Sequence, residues 1–425
     1  MTPEPTPVTL NHTAAILVTL AAAFSYLNYR FLRLPAVVGM MLIALLTSAL
    51  VLGTIHAGLV SDVGVRNLLA SIDFNQALMD GMLAFLLFAG ALDVDLTELA
   101  RQRWPIAFLA TVATVISTAL IGFGMFAVFD LLGRPVPLSW CLVFGALISP
   151  TDPIAVLAIM RTAGAPKALE MKIAGESLFN DGVGVVVFLE ILGIASGAVD
   201  VSAAQVATFF VREALGGAVF GFVTGWAVFR LLASVDDYEV EVLLTVGLAM
   251  GGYALASALH LSGPIATVIA GLLIGNHGRR HAMSQRTREH LDTFWKLVDS
   301  MLNAVLFALI GLEMIIVPVD PGRAGLAVLA IAVVLLARFL SVLVPTITPY
   351  LRRCFSGHDV KVLTWGGLRG GISIALALGL PDNPYRNTFI TLTYACVVFA
   401  ILVQGLTVAR LFRGGENEGQ PRRDA

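Results

Sequence analysis

Gly175-Glu176-Ser177-Leu178-Phe179-Asn180-Asp181-Gly182 places two carboxylates at the head of an apolar run, Gly182 to Ile194, that reads as a membrane helix. An ionised side chain at that depth is costly. Insertion scales give roughly 2.5–3.5 kcal/mol for Asp at a helix centre, so such a residue is a candidate functional group. Helical geometry stacks residues four apart. Ser177 therefore lies over Asp181, and Glu176 over Asn180. The two adjacent stripes offer two carboxylates, a hydroxyl and an amide, all hard oxygen donors that suit a hard cation better than a soft metal. Gly182 and Gly184 leave room for another backbone to come close. The plainer alternative is a pair of carboxylates capping a helix entry at the water interface. The length of the apolar run before the segment argues against it.

Composition sets the frame. Of 425 residues, 57% are hydrophobic and 13% charged, and mean hydropathy is +0.86. Soluble domains carry about 25% charged residues, so this is an integral membrane protein. With 27 basic against 29 acidic residues, no global field points to a nucleic-acid partner. Cys141, Cys354 and Cys396 are too scattered for a disulfide framework or a zinc site.

Apolar stretches of spanning length recur throughout, at about thirteen places. They run from Leu10–Tyr29, Leu34–Leu52, Phe74–Leu92, Pro105–Leu132 and Leu138–Met160 to Ala168–Ile194, Ala204–Leu232 and Val240–Leu259. Pro264–Gly275, Phe294–Val317, Ala324–Pro345, Val360–Leu380 and Phe389–Phe412 complete them. The ninth is short, and the seventh has room for an irregularity. Met1–Pro7 lacks the basic start of a secretory signal, so the first run is expected to be retained. Alternate connections hold Arg30 and Arg33, Arg101 and Arg103, Arg161 and Lys167, Arg279 to Arg288, and Arg352, Arg353 and Lys361. The others hold only scattered residues such as Arg66, Arg134, Arg323 and Arg386. The positive-inside rule then puts the N-terminus outside and the C-terminus in the cytoplasm, and an even number of spans would spoil the pattern. The tail after Arg413 is short and polar, with no sizeable soluble domain expected.

Two spans are interrupted. Ile148-Ser149-Pro150-Thr151-Asp152-Pro153-Ile154 sits in the middle of the fifth, where two prolines remove donors and disfavour helix in the residues before them. Asp152 can face the partly positive start of a half-helix. Trp365-Gly366-Gly367-Leu368-Arg369-Gly370-Gly371-Ile372 sits in the twelfth, where Arg369 can face the partly negative end of one. A kink and a tight helix contact are the simpler readings. Position decides against them: fifth and twelfth are corresponding places in two six-span repeats joined by one linking span. Discontinuous helices so placed point to a transporter site. Arg338 is a third buried charge and needs a carboxylate, for which Glu176 is the choice and Asp152 the rival.

Ser149–Pro153, Gly175–Gly182 and Gly366–Gly371 resemble motifs of the monovalent cation:proton antiporter-1 family, NhaP type. Leu261–Pro264 with Ala270–Asn276, and Leu306–Glu313, are similar to its bacterial members. The resemblance covers residues 10–412. It implies an all-α fold of two inverted repeats with broken crossing helices, and a homodimer. Interface parts would be residues 1–103 (spans 1–3) and 236–320 (spans 8–10). Core parts would be 104–200 (spans 4–6) and 321–413 (spans 11–13), with 201–235 a linking span and 414–425 a short cytoplasmic tail. Carried over by motif, Asp181 binds cation or proton, and Ser177 and the Thr151 carbonyl help coordinate Na+. Asn180 holds the crossing, Asp152 and Arg369 balance half-helix dipoles, and Glu176 pairs with Arg338. Many relatives carry an acidic residue after Phe in the third span. Here the run is Phe88-Ala89-Gly90, so that either Asp93, one turn later, substitutes or the site uses one more water.

The implied activity is exchange of a monovalent cation, Na+ or also Li+, for H+ across the plasma membrane, serving pH and sodium homeostasis. Its carrier needs no cofactor. K+/H+ exchange and a cation channel are the alternatives. An enzyme would need a nucleophile with a base, for which Ser177 beside Glu176 is a poor candidate. His277 and His281 have helical ligand spacing but lie among arginines and read as loop residues. Asp236, Asp237, Glu239 and Glu241 read as a solvated loop and helix start. Asp80, Asn303 and Glu313 read as helix-contact or interface groups, with a funnel lining open to Asp80.

Overall fold

The computed structural model describes residues 10–59, 61, 74–197, 203–279, 282–315 and 324–413. Side chains are described for these except 10–14, 80, 203–210 and 413. Met1–Pro7, the connections with Arg66 and Arg323, Arg280, His281, the Asp80 side chain and the tail after Arg413 therefore lie outside the described residues.

Every regular element among the described residues is helical. Among the described residues ten helices are long and apolar enough to cross a membrane. In chain order they are α1 Leu10–Leu27, α2 Ala36–His56, α3 Phe74–Leu92, α4 Arg103–Leu131, α6 Lys167–Ala195, α7 Ala203–Leu232, α8 Tyr238–Ala258, α10 Gln285–Glu313, α11 Ala324–Ile347 and α13 Arg386–Phe412. Between them come α9, Gly263–Leu273 running on through a π turn at Ile274–Gly278, and two helices in halves. These are α5a Leu138–Ile148 with α5b Ile154–Ala163, and α12a Gly357–Trp365 with α12b Gly371–Leu378. The protein is a multi-pass membrane protein.

The breaks fall where the backbone cannot continue as helix. Pro150 and Pro153 lack N–H donors and push the residues before them out of the helical region. At the other break Gly370 is extended, with φ −130° and ψ −157°. A Cβ at Gly370 would lie 2.2 Å from Asp152 Oδ2, and one at Gly367 would lie 2.6 Å from Arg338 Nε. Glycine is thus required at both places by what crosses there.

Packing gathers the helices into two neighbourhoods. In one, α4 packs on α5a and α11, α5a on α6, and α11 and α12b on α13. In the other, α10 packs on α1, α2 and α3, and α9 on α3, α7 and α8. They meet along a longer seam, where α6 touches α7 and α9, α12b touches α3 and α10, and α2 touches α5b and α13.

The seventh span shows no irregularity: α7 is one continuous helix of 30 residues. Its glycines serve packing instead. Gly217, Gly221 and Gly225 recur every four residues and face Ser262, Ala266 and Ala270 of α9. Such small-residue stripes bring membrane helices into backbone contact. A Cβ at Gly221 would lie 2.1 Å from the Ala266 carbonyl oxygen. Gly221→Ala must push the helices apart and is expected to lose about 1–3 kcal/mol by overpacking. Thermal unfolding in detergent checks it, and an unshifted midpoint would show that the α7–α9 contact has slack.

Candidate ion-binding site

The site is built where the α5 break lies against α6. Thr151 is held in the gap by Asn180 of α6, whose Nδ2 donates to Thr151 Oγ1 at 2.9 Å. Asn180 Oδ1 accepts from the Thr151 N–H at 3.4 Å. Ser177 Oγ, one turn earlier, donates to the Thr151 carbonyl. Both amide ends are therefore spent on one residue, and the orphan backbone of the break is satisfied without water. Gly184 makes the approach possible, since a Cβ there would lie 2.3 Å from Pro150 Cγ.

The half-helix ends carry opposite charges matched to their dipoles. Asp152 Oδ1 accepts from Ile154 N at 3.0 Å, at the start of α5b. Its other oxygen lies against Gly370, at the start of α12b. Arg369 donates to the carbonyls of Ser149 and Pro150, the latter at 3.0 Å, at the end of α5a. Arg338 of α11 does the same for α12a. Its Nε and Nη2 donate to the Leu363 carbonyl at 3.1 and 3.0 Å. Each charge at a helix end contributes roughly 0.3–2 kcal/mol. One backbone bond, Asp152 N to Leu368 O at 2.9 Å, ties the two crossings together.

Arg338 also forms a two-point ion pair with Glu176, from Nη1 to Oε1 and from Nη2 to Oε2, the second at 3.0 Å. The Arg338 and Glu176 side chains are only 7% and 2% exposed. This planar fork is a geometry that Arg provides and Lys does not.

Asp181 stands apart from all these contacts. It lines a cavity of about 350 Å³ together with Ser177, Thr151 and Asp152. Among the described residues no hydrogen bond or ion pair reaches it. A carboxylate removed from bulk water and left without a donor needs a proton or a cation to neutralise it. The cavity's exposed lining includes Arg161, Asp93 and Lys296, which places its mouth at the end of α5b and α3.

The third-span substitution is resolved geometrically. Ala89 lines the cavity and adds no oxygen. Asp93 lies at the rim, 42% exposed and 3.8 Å from Arg279 Nη2, rather than beside Asp181. The cavity holds a further carboxylate, Asp299 of α10, that the sequence reading passed over. Its signal was available. Asp299 and Asn303 are four apart in an apolar helix and share a face.

Comparison with known proteins gives the family and the fold. Residues 16–414 match the family described as sodium/hydrogen exchanger, transmembrane. The chain belongs to the sodium/hydrogen exchanger family. It is 48% identical to the Na+/H+ antiporter NhaP of Pseudomonas aeruginosa, over 94% of this chain and 95% of that one. It is 34% identical to the Na+/H+ antiporter NhaH of Halobacillus dabanensis, over 87% and 91%. The fold is shared with the sodium proton antiporter MjNhaP1 of Methanocaldococcus jannaschii, at a TM-score of 0.74 and 18% identity, covering 95% and 98% of the two chains. The broken helices of this exchanger thus lie on a fold that it shares with a solved antiporter.

Proposed function

We propose that this exchanger is a secondary antiporter that swaps Na+ for H+ across the plasma membrane by alternating access. Asp181 is the shared site, and one observation carries the reading: a cavity carboxylate that no hydrogen bond or ion pair reaches among the described residues, in the same cavity wall as Ser177 of α6 and Thr151 of the broken helix. Na+ is a hard cation and prefers such oxygens. Proton and Na+ neutralise the same group, so each excludes the other, and coupling follows without a second site. Asn180 keeps the crossing closed around Thr151. Asp152, Arg369 and the Glu176–Arg338 pair hold the charges of the half-helices in place while the site moves.

The moving unit would be α4–α6 with α11–α13, within residues 104–200 and 321–413. The remaining interface parts, 1–103 and 236–320, would stay with the membrane and pair two copies as a homodimer in lipid. The cavity mouth with its basic residues would face the cytoplasm, with the N-terminus outside. Separation of the packing into two neighbourhoods supports this division.

The test is a cation-induced pH change in proteoliposomes, comparing Na+, Li+, K+ and choline. Proton movement is expected with Na+ and Li+ and not with choline. A response to K+ alone would make the protein a K+/H+ exchanger. Ion flux without coupled proton movement would make it a channel.

The stoichiometry follows from what can titrate. Asn180 carries no charge, and Glu176 is held by Arg338, so Asp181 alone changes state at the centre. One Na+ for one H+ moves no net charge. The reversal point in sealed vesicles, with potential clamped by valinomycin and K+, is therefore expected not to move with voltage. Each transferred charge would couple by roughly 2.3 kcal/mol per 100 mV. A voltage-dependent reversal point would mean that a second group, with Asp152 the nearest candidate, also titrates.

A further inference from the structure

We propose that Asp299, Asn303 and Ser373 form a second binding subsite for the transported monovalent cation, between the cavity mouth and Asp181. This rests on the reading of Asp181 as the exchange site.

The position comes from α10. Asp292, near the mouth, is paired with Arg279. Asp299 lies seven residues on, roughly 10 Å deeper at 1.5 Å per residue. Asn303 follows one turn later. Leu306 after it packs against Gly371 at the start of α12b, where a Cβ would lie 2.7 Å from Leu306 Cδ1. Asp299 and Asn303 thus occupy the stretch of cavity wall between the rim pair and the crossing.

Unmet polar groups indicate a ligand there. Asn303 is only 7% exposed. Its Nδ2 donates to the Asp299 backbone carbonyl at 2.9 Å and to Asp299 Oδ1 at 3.0 Å. Both partners are acceptors, so the amide orientation is set by chemistry. Its carbonyl oxygen is buried and has no partner among the described residues. Ser373 of α12b is 1% exposed, lines the same cavity, and its hydroxyl also lacks a partner. A buried acceptor or hydroxyl without a partner carries its full desolvation penalty. No Lys or Arg among the described residues pairs with Asp299, whose carboxylate accepts only from Asn303. A carboxylate, an amide carbonyl and a hydroxyl are again hard oxygens, matched to Na+ or Li+.

The subsite also lies on a path. Asp93 at the rim is within electrostatic reach of Asp299, Asp299 of Asp152, and Asp152 of Asp181. A cation entering past Asp93 meets successive negative charges before it reaches Asp181. Because α10 is outside the proposed moving unit, a cation at Asp299 does not cross with the site, and the one-for-one count stands.

The test uses purified full-length protein in detergent, with radiolabelled Na+ as the probe. The Asp181→Asn protein is expected to keep weaker Na+ binding, which falls at least about tenfold further when Asp299→Asn is added. Asn303→Leu in the same background should do likewise, which guards against misfolding of one variant. In proteoliposomes Asp299→Asn should raise KM for Na+ on the cavity side several-fold, with the loss falling on KM rather than on maximal rate. No residual binding in folded Asp181→Asn, or residual binding that neither second change reduces, overturns the subsite and leaves Asp181 standing. Binding undiminished by Asp181→Asn overturns the reading of Asp181 instead.

Discussion

Asp181→Asn is expected to abolish exchange, lowering Na+-driven proton movement at least about a hundredfold, while the protein folds and stays dimeric if the parent is. The change is nearly isosteric. It removes the one charge that proton and Na+ would share, and nothing else. Asn holds neither a titrating proton nor a negative charge, so the alternation between two neutralised states has no substrate to alternate. Stability argues the same way. Among the described residues Asp181 makes no hydrogen bond or ion pair that the amide would lose. An uncompensated carboxylate in a largely apolar surrounding costs free energy, and its removal is neutral or favourable for folding. The variant should therefore unfold at or above the parent's temperature in detergent. That combination, stable and inactive, separates a site residue from a structural one. The measurement is Na+-induced proton movement in proteoliposomes, alongside thermal unfolding of the same preparation. Substantial coupled movement in a well-folded variant would remove Asp181 from the mechanism and leave Asp152 and Asp299 as the cavity carboxylates to examine.

What the sequence discloses, and what it hides, divides by the reach of the chemistry. Pro150 and Pro153 break a helix whatever surrounds them, so α5 was legible as two halves. Gly366 to Gly371 around Arg369 announced the second break for a similar reason. A carboxylate inside an apolar run is costly anywhere, so Glu176 and Asp181 stood out before any contact was known. The seventh span was expected to have room for an irregularity and is a continuous helix; its glycines answer to the α9 backbone, which the span alone does not show. Arg338 was legible as a buried charge needing a partner. Its second task, holding the Leu363 carbonyl at the end of α12a, depends on two helices that meet 25 residues apart in sequence. Asp299 was missed because it follows Lys296 near the start of a span, where charges are ordinary. Only the cavity sets it in line with Asp181. Asp93 misled in the opposite sense. One helical turn from Ala89 is a small step along the chain, but it carries the side chain out to the rim and to Arg279.

Arg338→Ala and Glu176→Ala are each expected to destabilise the protein by about 3–5 kcal/mol, because either change strands the other charge in the interior. The two losses should not add. With both removed, no stranded charge remains, and the double variant should cost less than the sum by about 0.5–3 kcal/mol. The structure also says that the cycle will not return to zero. Arg338 donates to the Leu363 carbonyl through Nε and Nη2, and those bonds vanish in the double variant as surely as in Arg338→Ala. The end of α12a then loses its cation as well as its donors. Glu176→Ala keeps both, since the guanidinium still has the carbonyl. Arg338→Ala should accordingly be the more damaging single change. Unfolding midpoints of the four proteins in one detergent supply every term. Additive losses would mean that the contact seen between Glu176 and Arg338 carries no coupling energy. Equal losses from the two single variants would mean that the cap of α12a adds nothing to the pair.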